Sequence, residues 1–299
     1  MLDYEIWDVF TDLPFVGNPL AIVHGADALS EAQMLVLARE FNLSETIFVM
    51  APRDPAHRAR VRIFFPTAEI PFAGHPTLGC AICLSGLAGP GPDAVTDLVL
   101  EEEAGLVPVR IWRQAGRVRA EFTAPVLPHA APGMVDTALC ARALGGVAPG
   151  AAGHPGPALW QGGPRFLFVP LPDLAALAAA RPSEPSWSAL MAAAGVDSAW
   201  CYVPVPGGYR ARKFSPTAGI PEDPATGSAS AIFAAELAAR GLLAEGETRV
   251  VITQGVEMGR PSRIEVTALV VAGALVGVRV AGAAVPVAAG RIAVPTTNG

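Results

Sequence analysis

The sequence predicts an α/β protein made of two pseudo-symmetric domains that face each other across a cleft. Three observations carry this expectation. A ten-residue motif leading to a glycine-led helix start occurs twice. Both halves show the same order of strand and helix signals. The composition is 52% apolar and only 16% charged over 299 residues, enough for two well-filled cores.

The duplication is direct. Arg62-Ile-Phe-Phe-Pro-Thr-Ala-Glu-Ile-Pro71 aligns without gaps onto Arg212-Lys-Phe-Ser-Pro-Thr-Ala-Gly-Ile-Pro221, with seven of ten positions identical. Past Pro221, three extra residues bring Gly74-His75 opposite Gly227-Ser228. Each copy then enters a small, apolar helical stretch, Leu78–Leu84 and Ala229–Leu237.

Upstream, Gly17-Asn18-Pro19 leads into a strand at Leu20–Val23, then a helix at Ser30–Phe41 with Ser30 as N-cap, then a strand at Thr46–Met50. The second half repeats the order: Gly163-Pro164-Arg165, a strand at Phe166–Val169, a helix at Ser186–Ala194 and a strand at Ala199–Val203. The Gly/Pro-rich segment Gly145–Gly163 reads as loop. Prolines at 125, 128 and 132 set the linker, giving domains of 1–128 and 129–284, with 285–299 returning to complete the first sheet.

The formal charge of −6 is spread along the chain, and no basic stripe with interleaved aromatics appears, so no nucleic-acid partner is expected. The most apolar stretch, Val266–Val278, is too short for a membrane span of roughly 18 residues. Its β-branched residues and Gly273 predict a buried hairpin. The N-terminus carries Asp3, Glu5 and Asp8 and no basic-then-apolar leader, and Cys80, Cys83, Cys140 and Cys201 make no disulfide framework. A cytoplasmic protein is therefore expected. The one lysine, Lys213, lies in a strand-like segment and aligns with Ile63, which argues against a pyridoxal Schiff base and allows no phosphate loop. His24, His57, His75, His129 and His154 show no metal-ligand spacing, so neither metal nor cofactor is expected.

Gly74-His75-Pro76 opens a helix with proline pre-organised at its first position, and Thr226 or Ser228 is placed to cap the helix begun by Gly227. The first turn of a helix carries unpaired N–H groups and partial positive charge. Two such starts can hold a carboxylate or a developing enolate, although each alone is also an ordinary helix start. The copies differ where chemistry needs asymmetry: His75 in the first, Glu222-Asp223 and Ser228 in the second. Glu45 stands at a helix-to-strand junction with no carboxylate counterpart near Ala199, and by pattern alone reads as a solvated junction residue.

Four ordered motifs resemble the PhzF-like phenazine biosynthesis family. They are Asp8-Val-Phe-Thr11 with Gly17-Asn-Pro19, Asn42-Leu-Ser-Glu-Thr46, Pro71-Phe-Ala-Gly-His-Pro76 and Gly219-Ile-Pro-Glu-Asp-Pro-Ala-Thr-Gly-Ser228. The resemblance implies the two-domain diaminopimelate epimerase-like fold, each domain a curved, mainly antiparallel sheet or barrel around a central helix. It implies a cofactor-independent isomerase moving a proton on a small cyclic or unsaturated carboxylate, as in isomerisation of trans-2,3-dihydro-3-hydroxyanthranilate, and a homodimer. It maps the catalytic glutamate onto Glu45 and other active-site groups onto His75, Asp223 and Ser228; the helix starts at Gly74 and Gly227 are expected to bind substrate through their unpaired amides. Two alternatives stay open: a two-base epimerase or racemase using Glu45 and Asp223, and a non-catalytic binding homologue. Cys80 and Cys83 share one helix face and read as core, which disfavours a two-cysteine mechanism.

Overall fold

The computed structural model describes residues 1–151 and 156–296. The chain forms two compact units, one from residues 1–125 with the chain from 281 onward, the other Val126–Val280. His154 and part of the expected loop 145–163 lie outside the described residues.

The first unit contains β1 (Leu2–Val9), β2 (Asn18–Val23), α1 (Glu31–Phe41), β3 (Glu45–Met50), β4 (Ala59–Phe64), β5 (Glu69–Ile70), α2 (Gly74–Leu84), β6 (Ala94–Glu102), β7 (Gly105–Gln114) and β8 (Arg117–Thr123). The second contains β9 (His129–Ala130), α3 (Thr137–Ala143), β10 (Ala158–Gln161), β11 (Arg165–Pro170), α4 (Leu174–Ala179), α5 (Ser186–Ala194), β12 (Ala199–Val205), β13 (Gly208–Ser215), β14 (Ile220–Asp223), α6 (Gly227–Ala239), β15 (Gly246–Gln254) and β16 (Ser262–Val271). A long strand, β17 (Ala274–Ile292), starts in the second unit and ends in the first. With β16 it forms the expected hairpin, turning at Ala272-Gly273, but its tip is exposed rather than buried, Val271 and Val276 facing solvent because the turn extends beyond the core.

In the first unit the pairings run β1–β2–β3–β4–β6–β7–β8–β17 and back to β1, closing an eight-stranded barrel. Inside lies α2, touching β1, β2, β3, β6, β7 and β8. Every residue from Gly74 to Ile82 is buried, as a helix apolar all round requires. Leu78 and Ile82 each stabilise the unit by about 1.5–3 kcal/mol through burial. Gly79 permits this closeness: a Cβ there would sit 2.7 Å from Val9 Cγ2 and 2.8 Å from Leu20 Cδ2. Outside, α1 lays Met34, Leu37 and Ala38 on Val23, Phe48, Met50 and Phe64. Ser30 and Gln33 cap it reciprocally: Gln33 N–H donates to Ser30 Oγ and Ser30 N–H to Gln33 Oε1.

The second unit repeats the plan. β10–β11–β12–β13–β15–β16 follow the same antiparallel and parallel sequence as β1–β2–β3–β4–β6–β7, and β9 pairs β10 as β17 pairs β1. Here α6 is the central helix, and Phe233 packs against Phe168, Trp200, Tyr202 and Tyr209. The outer layer gains α3 and α4 beside α5, neither legible in the sequence, because both are short and stabilised by the tertiary core they cover. The stretch expected as loop contains β10, whose Leu159 packs into this core.

The repeat is real, but its gap falls earlier than the sequence alignment places it. Phe64 pairs Glu69 in the first unit, while Phe214 pairs Glu222 in the second, with a register shift between Phe214 and Ser215. The three extra residues therefore sit at 219–221, and Pro71 corresponds to Pro224, not Pro221. This correction reveals a conserved pair. Arg62 Nε donates to Glu69 Oε1 at 2.6 Å, and Arg212 binds Glu222 in bidentate fashion at 2.7 and 2.8 Å. Each guanidinium also lies over a phenylalanine, Phe64 or Phe214.

One polar group is buried against the central helix of the first unit. Thr77 Oγ1 lies 2.7 Å from Ala73 O and 2.6 Å from Glu102 Oε1, yet has one proton to donate. Both contacts are bonds when Glu102 is protonated and donates to Thr77. Burial pushes this carboxyl up to about 8, against a smaller opposing effect of the Thr77 bond. The unfolded chain ionises Glu102 near the ordinary value of about 4.3. Between the two values the folded state holds the extra proton, so this contribution to stability is full at low pH and is lost as pH rises towards about 8. Glu102→Gln keeps a neutral group there. Urea unfolding from about pH 5 to about pH 8 should show wild type losing a few kcal/mol relative to the variant, at about 1.4 kcal/mol per pKa unit. Parallel pH profiles for the two proteins would contradict a protonated Glu102.

Candidate active site

In the first unit the site residues gather at the N-terminal end of α2. Glu45 is the first residue of β3 and pairs with Leu20 of β2. It is only 7% exposed, which corrects the solvated-junction reading made from pattern alone. The reason is tertiary: α1 ends at Asn42 in a left-handed conformation, and the chain turns at once into a strand of the closed ring. His75, 2% exposed, is the second residue of α2. Its Nδ1 lies 3.3 Å from Glu45 Oε2 and 3.3 Å from Asn18 Nδ2. A bare Nδ1 accepts from the Asn18 amide, and the Glu45 carboxylate stands beside the same nitrogen at ion-pair distance, placed to stabilise a protonated imidazole.

Asn18 is fully buried, and the motif before it explains how it is held. Gly17 has φ +74°, and a Cβ there would meet Val9 O at 2.4 Å, so only glycine fits. Asp8, also buried, accepts from Phe15 N–H at 2.6 Å and clips the loop back onto β1. Sequence reasoning quoted the Gly-Asn-Pro motif without giving Asn18 a role, because its contact with His75 spans 57 residues.

In the second unit Asp223 ends β14 and is 3% exposed. Thr226 Oγ1 donates to Asp223 Oδ2 at 2.6 Å and accepts from Gln254 Nε2 at 3.0 Å. Gln254, fully buried at the end of β15, also donates to Asp223 O at 2.8 Å. Its Oε1 accepts from Thr226 N–H and from Trp200 Nε1, each at 3.2 Å. Gln254 thus organises the turn that carries Asp223 and delivers Gly227 to α6. No local sequence signal announces it.

The capping expectations fail in an informative way. Thr226 occupies the N-cap position of α6, but its side chain makes no cap bond, being committed to Asp223. Ser228 is half-buried within the first turn. Gly74 is the first helical residue of α2, so Pro76 is third rather than first, still where no N–H is needed. Neither α2 nor α6 begins with a side-chain cap. Their first-turn amides are therefore not spent on a capping side chain, as an anion-binding helix start requires.

The other sequence candidates are placed as follows. Lys213 is buried in β13 and stands across from Asp223, as Ile63 does from Ile70. His57 binds Glu101 at 2.8 Å, His24 binds Glu5 at 3.1 Å, and His129 is exposed. Cys80, Cys140 and Cys201 are buried, as core residues are, but Cys83 is half-buried and directed at Glu5. Burial raises the pKa of Cys80 and Cys83, leaving both as poor thiolates. No helix among the described residues is long and apolar enough to cross a membrane.

The chain matches the phenazine biosynthesis-like protein (PhzC-PhzF) family over residues 7–290. It is 38% identical over 302 residues to an uncharacterized isomerase of Mesorhizobium japonicum, covering 97% of this chain and 98% of that one. It is 40% identical over 272 residues to the trans-2,3-dihydro-3-hydroxyanthranilate isomerase of Pseudomonas chlororaphis, covering 88% of each. Among solved structures, a predicted epimerase of Pseudomonas aeruginosa superimposes with a TM-score of 0.80 at 31% identity, covering 98% of this chain and 99% of that one. The repeated strand order around a central helix, the ordered motifs and these likenesses agree: the chain is an isomerase and belongs to the phenazine biosynthesis-like family.

Proposed function

We propose that this isomerase moves a proton on a small unsaturated or cyclic carboxylate, with Glu45 as both general base and general acid and without a cofactor. The observation that supports this reading most is the buried Glu45–His75 contact of 3.3 Å beside the uncapped start of α2. The relatives named trans-2,3-dihydro-3-hydroxyanthranilate isomerase, 38–40% identical, add the substrate class.

In this mechanism the Glu45 carboxylate takes a proton from a carbon conjugated to the substrate's unsaturation. Charge spreads towards the substrate carboxylate, which the first-turn amides at Gly74 stabilise. His75 stays beside Glu45 throughout, with Nδ1 3.3 Å from both Glu45 Oε2 and Asn18 Nδ2, and holds the carboxyl in position without exchanging a proton. Glu45 then returns the proton to a second carbon on the same face. Roles for Asp223 and Ser228 in holding polar substituents of the same substrate are part of the proposal. A homodimer is our expectation from the resemblance, and a cytoplasmic location our expectation from the cysteine pattern.

Glu45→Gln keeps the shape but cannot carry a proton. Its solvent-deuterium incorporation into trans-2,3-dihydro-3-hydroxyanthranilate should fall at least about 100-fold, the usual scale of a general acid–base group. Exchange at wild-type rate in a folded variant would remove Glu45 from the mechanism. Asp223→Asn separates one base from two: a loss of about tenfold fits a binding role, whereas abolished exchange fits a second base. Gln254→Leu strips the partners from Trp200 Nε1, Thr226 N–H and Asp223 O. Urea unfolding should register a loss of about 2–4 kcal/mol, with a fall in kcat that Gln254→Glu partly restores.

A further inference from the structure

Three donor atoms of different kinds meet in the first unit at the end of α2 away from His75. Glu5 lies on β1 two residues before the buried Trp7 and so shares its face of the strand. His24 follows the last residue of β2, and Cys83 is the penultimate residue of α2. Cys83 Sγ lies 3.3 Å from Glu5 Oε1, and His24 Nε2 lies 3.1 Å from the same oxygen. All three donor atoms fall within 4.8 Å of one another, and all three residues are half-buried. Trp7 Nε1 donates to the other carboxylate oxygen, Glu5 Oε2, at 2.9 Å, fixing the carboxylate with Oε1 turned to the thiol and the imidazole.

We infer that Glu5, His24 and Cys83 form a binding site for a divalent metal ion of the zinc class. Bond lengths of about 2.0–2.3 Å in a tetrahedral site separate neighbouring ligands by roughly 3.2–3.7 Å. The two spacings to Glu5 Oε1 already match, and the thiol and imidazole, within 4.8 Å of each other, close onto the ion. A thiol and an imidazole beside one carboxylate select a borderline ion such as zinc over magnesium or calcium, which take oxygen donors. The Trp7 bond to the free oxygen is the outer support that ligating carboxylates commonly have. The C-terminal end of α2 adds partial negative charge nearby.

The proton balance is simple. Without metal, burial and the neighbouring Glu5 carboxylate raise the Cys83 pKa and keep it a thiol. On binding, the thiol releases its proton to solvent and the sulfur lone pair forms the metal bond. The His24 proton held on Nε2 by the Glu5 contact moves through solvent to Nδ1, and the freed Nε2 lone pair and Glu5 Oε1 complete three protein ligands, with water in the fourth position. The nearby cation is Arg58, which donates to Leu84 O at 2.9 Å. It is exposed, so solvent screens its repulsion. Bound metal would tie β1, the end of β2 and the end of α2 together, independently of the proton-shift reaction.

The test uses the full, reduced, metal-free protein and cobalt(II) as a spectroscopic stand-in for zinc. The expected result is one equivalent of cobalt bound, with a thiolate-to-cobalt charge-transfer band and four-coordinate visible bands that zinc abolishes. Cys83→Ser should lose the charge-transfer band, and His24→Gln should bind cobalt at least about tenfold more weakly. In wild type, one equivalent of zinc should slow alkylation of Cys83, followed by peptide mass spectrometry, by at least about tenfold. A wild-type titration with no charge-transfer band, a band that survives in Cys83→Ser, or alkylation unchanged by zinc would each overturn the site. The alkylation experiment needs no variant, so a misfolded substitution cannot obscure the answer.

Discussion

Enclosing a helix within a closed ring of strands governs the rest of the first unit. With every residue from Gly74 to Ile82 buried, α2 has no solvent face, and its sides are taken up by packing. Chemistry is left to its ends. The starting end carries His75, brought beside Glu45 because β3 begins at the same level of the barrel. At the other end Cys83 meets Glu5 and His24. The closeness of packing that makes this possible depends on Gly79, where even one methyl group would collide with Val9 and Leu20.

The second unit applies the same constraint to a different purpose. Its central helix is likewise buried, and its approach segment keeps the arginine–glutamate clasp of the first, Arg212–Glu222 for Arg62–Glu69. What diverged lies in the few residues between the clasp and the helix. The second copy places Asp223 where the first has Ile70, while its three extra residues at 219–221 lie inside the clasp, before Glu222. Conserved clasps with divergent tips let two copies of one scaffold carry unlike groups without altering the packing beneath.

Several buried polar groups in both units are satisfied by partners rather than by exposure. Gln254 satisfies Trp200, Thr226 and Asp223 at once, so the turn before α6 has little freedom to rearrange. Glu236, fully buried on α6, bonds Tyr202 and Arg240, and burial raises its pKa. Glu102 escapes the cost of a buried charge by keeping its proton. Such networks hold helix starts in one position, which proton transfer between fixed atoms requires.

The repeated strand–helix–strand order, the duplication and the capped helix α1 were legible in the amino-acid sequence, because they rest on local periodicity, local hydrogen bonds and repeated residues; α3, α4 and β10 were not. The motifs also named Glu45, His75, Asp223 and the two helix-leading glycines. Only the tertiary structure decided how those residues are set: the burial of Glu45, its contact with His75, the 219–221 position of the extra residues and the diversion of Thr226 from capping to Asp223. It alone disclosed Asn18 and Gln254 as partners of the site, and Glu5, His24 and Cys83 as neighbours. The physical reason is that spacing along the chain records helix and strand periods. Ring closure and register bring together side chains dozens of residues apart, and those distances leave no periodic trace.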